Sequence, residues 1–263
     1  KLSSFNGVLQ LSVFDKPSGR ETLVNDGVGG PQEFEIQNNL IYKGKVAVEN
    51  GDFTAEFRVP KDISPRFGFG KISYYASDEE GLVDAAGYFD TVVVGGFDNS
   101  APADNLGPEI EIFMNDRSFV RGGVTGPDPF LVAVPRDSSG INTVGNGVGH
   151  DLKAVLDEET DQPYVLNEFY EADLNSYQSG EVRYQFFELD EGEHTLTLQA
   201  FDIYNNPSKS KTEFIVADSE ELVLRKVLNY PNPFTTNTEF QFEHNRANQQ
   251  LNVQVQIFTV SGK

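Results

Sequence analysis

Apolar and polar residues alternate in short runs along the chain, and these runs predict β-strands. In residues 53–59, Phe, Ala, Phe and Val take every second position, with polar side chains between them. A period of two is typical of an antiparallel strand with one buried and one wet face. No segment keeps a helical period over three turns, so the pattern predicts an all-β protein.

Similar runs recur at short intervals, with turn residues between them. In the first hundred residues they are Val8-Leu-Gln-Leu-Ser-Val-Phe, Lys45-Val-Ala-Val, Lys71-Ile-Ser-Tyr-Tyr-Ala and Phe89-Asp-Thr-Val-Val-Val. Further along they are Glu109-Ile-Glu-Ile-Phe-Met, Phe130-Leu-Val-Ala-Val-Pro, Asp151-Leu-Lys-Ala-Val-Leu-Asp, Val182-Arg-Tyr-Gln-Phe-Phe, His194-Thr-Leu-Thr-Leu-Gln-Ala-Phe-Asp and Thr212-Glu-Phe-Ile-Val. This spacing predicts two immunoglobulin-like β-sandwich domains in tandem.

Composition shifts place the domain boundaries. Residues 95–108 are rich in Gly, Pro, Asn and Asp and lack apolar periodicity, which is typical of a linker. We predict a first β-sandwich over residues 1–98 and a second over residues 107–218. Residues 219–263 hold further strand patterns, Glu239-Phe-Gln-Phe and Val253-Gln-Val-Gln-Ile-Phe, and end at a turn signal. They predict a truncated third β module.

A weak internal repeat relates the two sandwiches. In each, a strand ends in Ala-x-Asp before a tight turn, with the aspartate at Asp78 and at Asp202. An aspartate in this position can accept hydrogen bonds from backbone N–H groups of its own turn. We therefore expect both carboxylates to cap their hairpins.

Charge and cysteine content exclude several classes of function. The chain has 20 Lys plus Arg and 41 Asp plus Glu, giving a formal net charge of −21. Binding to nucleic acid or to an anionic membrane is excluded in practice, because both need clustered cations. With no cysteine, the chain has no disulfide, no thiolate metal site and no cysteine nucleophile. The single Met and the start at Lys1 predict a piece of a longer precursor, with any export signal outside it.

The sequence predicts no catalytic residue. His150, His194 and His244 fall on different predicted elements, so no triad is indicated; His194 is expected at the surface or half-buried on its strand, and His150 in a turn. Acidic runs at Asp78, Asp157 and Asp190 lie in predicted hairpin turns. A glycosidase would need two carboxylates across a groove, which these turns do not indicate.

Calcium is the best-supported ligand hypothesis, although no cofactor is required. Asp98 and Asp104 in the linker, and Asp202 with Asn205 in the second hairpin, offer oxygen ligands at loop spacing. Hard oxygen donors on bent loops suit Ca²⁺. Asx-turns explain the same residues without a metal, so both interpretations stay open.

Three aromatic pairs alternate on predicted strands: Tyr74-Tyr75, Phe169-Tyr170 and Phe186-Phe187. Adjacent strand residues point to opposite faces, so one ring of each pair is expected to face outward. Outward rings can stack on sugars or be covered by a neighbouring domain, and we favour the neighbouring domain.

The chain also resembles known proteins in two ways. Asn229-Tyr-Pro-Asn-Pro-Phe-Thr, Thr238-x-Phe-x-Phe and Val255-x-Ile-Phe-Thr-Val-Ser-Gly-Lys resemble the C-terminal sorting domain of type IX secretion cargo, a small β-sandwich of Bacteroidetes surface proteins. Other segments resemble the region after the peptidase domain in the PorU family of type IX secretion sortases. They include Tyr42-Lys-Gly-Lys, Val59-Pro-Lys-Asp-Ile, Gly107-Pro-Glu-Ile-Glu-Ile-Phe-Met-Asn-Asp, Asp137-Ser-Ser-Gly-Ile-Asn-Thr and Leu166-Asn-Glu-Phe-Tyr.

The family resemblance implies a non-catalytic role. In that family, a gingipain-like cysteine peptidase domain lies upstream, removes the sorting domain from cargo and attaches an anionic lipopolysaccharide at the cell surface. This chain would be the non-catalytic tail, and its partners would be the upstream peptidase domain and an outer-membrane β-barrel attachment protein, PorV. The alternative is an adhesin or carbohydrate-binding segment of a type IX cargo protein.

Overall fold

The computed structural model describes residues 4–25, 27–145, 149–217, 224–244 and 252–257. In chain order its strands are β1 (Gly7–Phe14), β2 (Ser18–Glu21), β3 (Glu33–Ile36), β4 (Leu40–Val48), β5 (Gly68–Asp78), β6 (Asp84–Val94), β7 (Glu109–Met114), β8 (Val124–Thr125), β9 (Phe130–Arg136), β10 (Lys153–Leu156), β11 (Tyr164–Val165), β12 (Tyr170–Ala172), β13 (Gly180–Gln185), β14 (Gly192–Phe201), β15 (Pro207–Val216), β16 (Leu224–Tyr230) and β17 (Glu239–His244). Over these described ranges the one helical turn is a 3-10 helix, Asn167–Phe169. The all-β prediction is confirmed.

Eight strands form one continuous sheet in the order β6-β5-β1-β4-β12-β13-β9-β7. The first four lie in the predicted first sandwich and the last four in the second. They meet where Ala172 of β12 pairs in parallel with Gly44 of β4, while the other neighbours pair antiparallel. We call the strands β1–β6 the first module and the strands β7–β15 the second module.

Small residues make this meeting of strands possible. A Cβ atom added to Gly44 would lie 2.9 Å from the Cβ of Ala172 and would also collide with the Tyr42 hydroxyl. A side chain at position 44 would therefore displace the Tyr42 ring or the Ala172 methyl group. The one-pair bridge between β4 and β12 therefore depends on the residue type at position 44.

The second module has a second layer of five strands, in the order β11-β10-β14-β15-β8. Its central strand β14 alternates buried and intermediate residues, as the sequence predicts. Leu196 and Leu198 of β14 lie in one buried cluster with Leu131 and Ala133 of the large sheet. The core of this sandwich therefore lies between the two sheets.

In the described part of the first module, no regular second sheet covers the core. Residues 53–59, which the alternation predicts as a strand, form no strand ladder. The alternation is nevertheless meaningful, because Ala55 and Phe57 pack against the core and Phe57 stacks on Tyr42 with ring centroids 5.0 Å apart. The prediction of a strand is wrong because the segment crosses the sheet face without a neighbouring strand to pair with.

The hydrophobic core is continuous across the two modules. Leu11 and Val13 of β1 and Ile41 of β4 belong to the same buried cluster as the second-module residues. A smaller satellite cluster comprises Leu9, Val46 and Val48. Shared apolar burial thus adds to the β4–β12 bridge in joining the modules.

Two small hairpins lie outside the two main sheets. β2 pairs with β3, and β16 pairs with β17. Residues 252–257, predicted as a strand, have no strand pairing, and their apolar side chains are exposed. The Ser261-Gly-Lys turn signal and residues 146–148 lie outside the described residues.

Within the described residues, no helix is long and apolar enough to cross a membrane. The predicted domain limits at residues 98 and 107 fall between β6 and β7, where the structure has no strand.

Candidate functional site at the junction of the modules

The hairpin turn after β14 is the point at which both modules and the linker meet. Asp202 is fully buried and accepts hydrogen bonds from the backbone N–H groups of Tyr204 at 3.0 Å and Asn206 at 2.7 Å. Asp78 caps the corresponding hairpin of the first module by accepting from Leu82 and Val83. The predicted capping role of both aspartates is confirmed.

A group of three carboxylates lies beside this turn. One carboxylate oxygen from each of Asp104, Asp137 and Asp202 lies within 4.8 Å of the other two. Asp104 comes from the linker, Asp137 from the loop after β9, and Asp202 from the turn. Ser139 connects two of them, since its hydroxyl donates to Asp104 and its backbone N–H donates to Asp137 at 2.7 Å.

The pKa values of two of these carboxyl groups, Asp137 and Asp104, are shifted in opposite directions. Burial raises the pKa of Asp137, and the negative charges of Asp202 and Asp104 raise it further. The hydrogen bond from the Ser139 hydroxyl, with help from the Leu106 backbone N–H, lowers the pKa of Asp104. Of Asp137 and Asp104, only Asp137 has a pKa that is raised by the negative charge of neighbouring carboxylates.

The cluster has the chemistry of a hard-cation site, because three carboxylate oxygens on loops are ligands that Ca²⁺ accepts. The sequence predicts Asp104 and Asp202 as ligands, and the structure brings these two together. Asp98 lies apart, accepting from the backbone and hydroxyl of Ser100 in its own turn. Calcium binding here stays a prediction.

The fourth predicted ligand, Asn205, takes part in a different network. Its side chain donates to Asp62 at 2.7 Å and accepts from Asn142 at 2.9 Å. Asn142 also donates to Asp62, at 2.9 Å, and His150 Nδ1 lies 3.0 Å from the same carboxylate. We call these four residues the Asp62 network.

The Asp62 network joins the two modules. Asp62 lies in the loop before β5 of the first module, and its side chain is 8% exposed. All three of its partners belong to the second module. The adjacent backbone adds a hydrogen bond from Lys61 N–H to the Ile203 carbonyl at 2.9 Å. A mostly buried carboxylate with several donors fixes the angle between modules more firmly than apolar contact alone.

The linker is also held in place. The Asn206 side chain donates to the Asp104 carbonyl at 3.1 Å. Gly107 packs so closely on Pro207 that a Cβ atom there would lie 2.5 Å from the Pro207 carbonyl oxygen. The segment predicted as a linker therefore lies against the second module at these two points.

The histidines do not converge in the described structure. His150 belongs to the Asp62 network and packs on Phe201. His194, expected at the surface or half-buried, is buried: Nδ1 lies 2.7 Å from Asp157 and Nε2 lies 2.7 Å from the Asp190 carbonyl. This strand end is covered by the turns that carry Asp157 and Asp190, which strand alternation alone does not reveal.

The predicted exposure of the aromatic pairs is found, but the predicted strand geometry holds only for Tyr74-Tyr75: Phe169 lies in the 3-10 helix, and Phe186-Phe187 follow the end of β13. One ring of each pair is exposed, and the exposed members are Tyr75, Phe169 and Phe187. Phe169 packs edge-on against Tyr184, with ring centroids 4.9 Å apart.

A larger exposed surface was not anticipated. β6 is the edge strand of the eight-stranded sheet, and its first eight residues are exposed on both faces. Tyr88 is 69% exposed and Val93 is 61% exposed, and Phe67 and Phe69 extend the apolar surface at the same end of the hairpin. We call β6 and these neighbours the β6 surface.

Sequence reasoning missed Asp62 and Asp137 as junction residues. Both are single aspartates in loops, far in sequence from their partners, and Asp62 lies 80 residues from Asn142. The segment that begins at Asp137 contributes to the family resemblance, but nothing in it indicates contact with Asp104 or Asp202.

Comparisons with known proteins point to one class. No family model matches the chain, and no curated protein matches it. Among solved structures, the chain is similar to a protein of the class that its motifs indicate, the type IX secretion sortases.

That structure is described as dimeric latent PorU from Porphyromonas gingivalis. The match has 31% sequence identity and a TM-score of 0.43, and it covers 93% of this chain and 23% of that chain. The sequence similarity to PorU agrees with the resemblance inferred from the short motifs, and this chain spans about a quarter of the length of PorU.

Proposed function

We propose that this chain is a non-catalytic β-sandwich region of a cell-surface type IX secretion sortase. In this proposal it supports an upstream cysteine peptidase domain at the outer face of the outer membrane and contacts the attachment machinery, including a PorV-type β-barrel. The observation that carries the proposal is the 31% identity to PorU over 93% of the chain. The absence of cysteine agrees with it, because the peptidase nucleophile has to come from another part of the protein.

The junction between the modules supports a spacer role. Inter-domain interfaces within one chain generally allow relative motion unless they are large and apolar. Here a strand bridge, a continuous core and the Asp62 network all act at one junction. Such a junction holds a neighbouring domain at a defined distance and angle.

The β6 surface supports a contact role. An edge strand that is exposed on both faces and carries large apolar side chains is a surface that proteins normally cover. Only Asp84 and Asp90 are charged within its eleven residues. We assign the upstream peptidase domain as the partner that covers this surface.

Site-directed photo-crosslinking in the full precursor tests this assignment. A photoreactive residue replaces Tyr88 on the β6 surface, and a matched control replaces Phe187, which is 67% exposed on the second module. We expect the probe at position 88 to crosslink to the peptidase domain of the same chain, and the control to give little product. Equal yields at both positions would contradict the assignment.

The attachment role has its own test. The purified chain is expected to bind a purified PorV-type β-barrel and to ignore a glycan array. Binding to glycans without binding to the barrel would favour an adhesin segment of a type IX cargo protein. Under that alternative, the candidate glycan site is a groove of about 390 Å³. It is bordered by exposed Phe169 together with Lys45, Glu171 and Arg183.

A further inference from the structure

In the part of the chain that the structure describes, the two main sheets have four edge strands, and β6 differs from the other three. β8 and β11, at the edges of the five-stranded sheet, have two residues each. β7, the other edge of the eight-stranded sheet, has six residues, and two of them are the charged Glu109 and Glu111. Short length, charged side chains and proline normally protect an edge strand from pairing with another strand. β6 has eleven residues with no lysine and no proline, so it lacks most of this protection.

One side of the β6 main chain has no strand beside it. In an antiparallel pair, alternate residues direct their N–H and C=O groups to the neighbouring strand, and the others direct them away from it. Over the described ranges β6 pairs with β5 alone, so its outward groups have no strand partner. The pairing of Asp84–Phe89 with β5 is regular, because the register shift comes later, between Gly70 and Ile72 of β5. This stretch of β6 therefore presents a regular row of donors and acceptors.

The side chains in the same stretch are small and uncovered. Ala85, Ala86 and Gly87 follow one another, and all three are exposed. A Cβ atom added to Gly87 would meet no atom within 4 Å, so the space beside it is open. Glycine inside a strand often marks a place where another backbone approaches closely. Alanine and glycine are also poor strand formers, so a second neighbouring strand would stabilise this stretch.

The course of the chain shows which segment can reach β6. β1 and β6 both pair antiparallel with β5, so they run parallel, and Val8 and Asp84 both lie opposite Ser77. Neighbouring strands are about 4.8 Å apart, so the chain that enters β1 lies about 10 Å from the start of β6. A strand added antiparallel to β6 would end at this same end of the sheet, about 14 Å from β1. About five extended residues span that distance, so the segment that precedes β1 is within reach.

We propose that β6 is the docking strand for a segment that precedes this chain in the precursor, which joins the eight-stranded sheet as a ninth strand antiparallel to β6. The inference rests on the proposed function, in which the peptidase domain lies upstream, and it specifies how that domain is held. Main-chain hydrogen bonds to Asp84–Phe89 form the contact, as in other cases of strand addition. The exposed side chains on both faces of β6 pack against the same partner.

Hydrogen–deuterium exchange of the full precursor, measured by mass spectrometry over Asp84–Phe89, tests the added strand. An edge strand protects at most about half of its amides, whereas a strand with two neighbours protects nearly all of them. We expect nearly complete protection in Asp84–Phe89, as in β1, which pairs on both sides. The edge strand β7 is the control and should keep about half of its amides in fast exchange. Fast exchange of half of the amides in Asp84–Phe89 would overturn the proposal.

Combining this measurement with the crosslinking experiment separates the added strand from the proposed function. If the probe at position 88 crosslinks to the peptidase domain while half of the β6 amides exchange quickly, the domain contacts side chains only and the added strand is wrong. Protection that is lost on dilution would show that the ninth strand comes from a second copy of the chain, which would also overturn the proposal. A precursor with neither protection nor crosslinking would contradict both the added strand and the assigned partner.

Discussion

Both modules contain a hairpin of similar sequence. The second strand of that hairpin is much more exposed in the first module than in the second. In the second module, β15 follows the turn that Asp202 caps, pairs with β14 and β8, and buries Thr212, Phe214 and Val216 on one face. In the first module, β6 follows the turn that Asp78 caps, yet it lies at the sheet edge with both faces exposed along most of its length.

The two modules therefore differ in how completely their apolar residues are covered. The second module is closed by two sheets and holds residues with no exposed surface, such as Leu131, Leu152 and Leu198. In the first module, one sheet and the extended segment 53–59 cover the core, and the apolar edge strand β6 is exposed to solvent. In the proposed function, the second module would serve as the structural anchor and the first would present its exposed edge to a partner.

Shortening a core side chain of the second module is expected to have the largest effect on stability, and it tests this contrast most directly. Leu198→Ala, in the centre of β14, is expected to lower the free energy of unfolding by about 2–5 kcal/mol, because the site cannot collapse around the cavity. Val93→Ala, on the exposed edge of the first module, should change it by no more than about 0.5 kcal/mol. Urea unfolding of the two variants measures both. Similar losses would show that the β6 surface is buried in the isolated chain.

Breaking the Asp62 network tests whether the modules act as one unit. Asp62→Ala removes the acceptor for Asn142 and Asn205, and we expect a loss of about 1–3 kcal/mol. The melting curve should also separate into two transitions, with the first module unfolding earlier. Asp90→Ala, which removes an exposed carboxylate of β6, is the control. A single unchanged transition in Asp62→Ala would show that the shared core alone couples the modules.

The contrast between the modules also shows what the sequence could predict. Period-two alternation identified β14 and β15, because in each a regular ladder places alternate residues on one face. The strand β9, which is buried on both faces, is instead a continuous apolar run bounded by turn residues. The cap at Asp202 was predictable because it is local to one turn. These features depend on residues that are neighbours along the chain.

The features that were missed depend on tertiary position. Phe89-Asp-Thr-Val-Val-Val has the composition of a core strand, and only its place at the sheet edge makes it exposed. Residues 53–59 alternate correctly but have no neighbouring strand. Of the four predicted calcium ligands, the fold assembles Asp104 and Asp202 with Asp137, because loops far apart in sequence meet at the turn. Nothing in local sequence determines which loops meet.

The pH dependence of stability provides a finer comparison, since His194 lies in the second module and His150 at the junction. Burial alone would lower the pKa of His194, but the bonds to the Asp190 carbonyl and the Asp157 carboxylate raise it overall. A raised pKa in the folded state means that the protonated histidine stabilises the fold. This contribution is complete below the unfolded pKa of about 6.5 and is lost as the pH rises through the folded value.

We therefore expect the free energy of unfolding to fall as the pH rises above about 6.5. Chemical denaturation at several pH values measures this slope. His194→Gln should flatten the slope, because it removes the titrating group that bonds to Asp157 and to the Asp190 carbonyl. A slope that survives in His194→Gln would assign the effect to another group.

Calcium gives the smallest expected effect and the most local one, because the three carboxylates all lie at the junction side of the second module. Extracellular modules typically bind Ca²⁺ with dissociation constants of about 10⁻⁴–10⁻³ M, so 2 mM Ca²⁺ would stabilise the fold by about 1 kcal/mol. We expect a chelator to lower the melting temperature by a few degrees, and Asp137→Asn to abolish this response. Asp98→Asn should respond like the unmodified chain, because Asp98 bonds within its own turn. A melting temperature that does not change with calcium or chelator would show that hydrogen bonds alone hold Asp104, Asp137 and Asp202 together, and the junction would then rest on the strand bridge, the shared core and the Asp62 network.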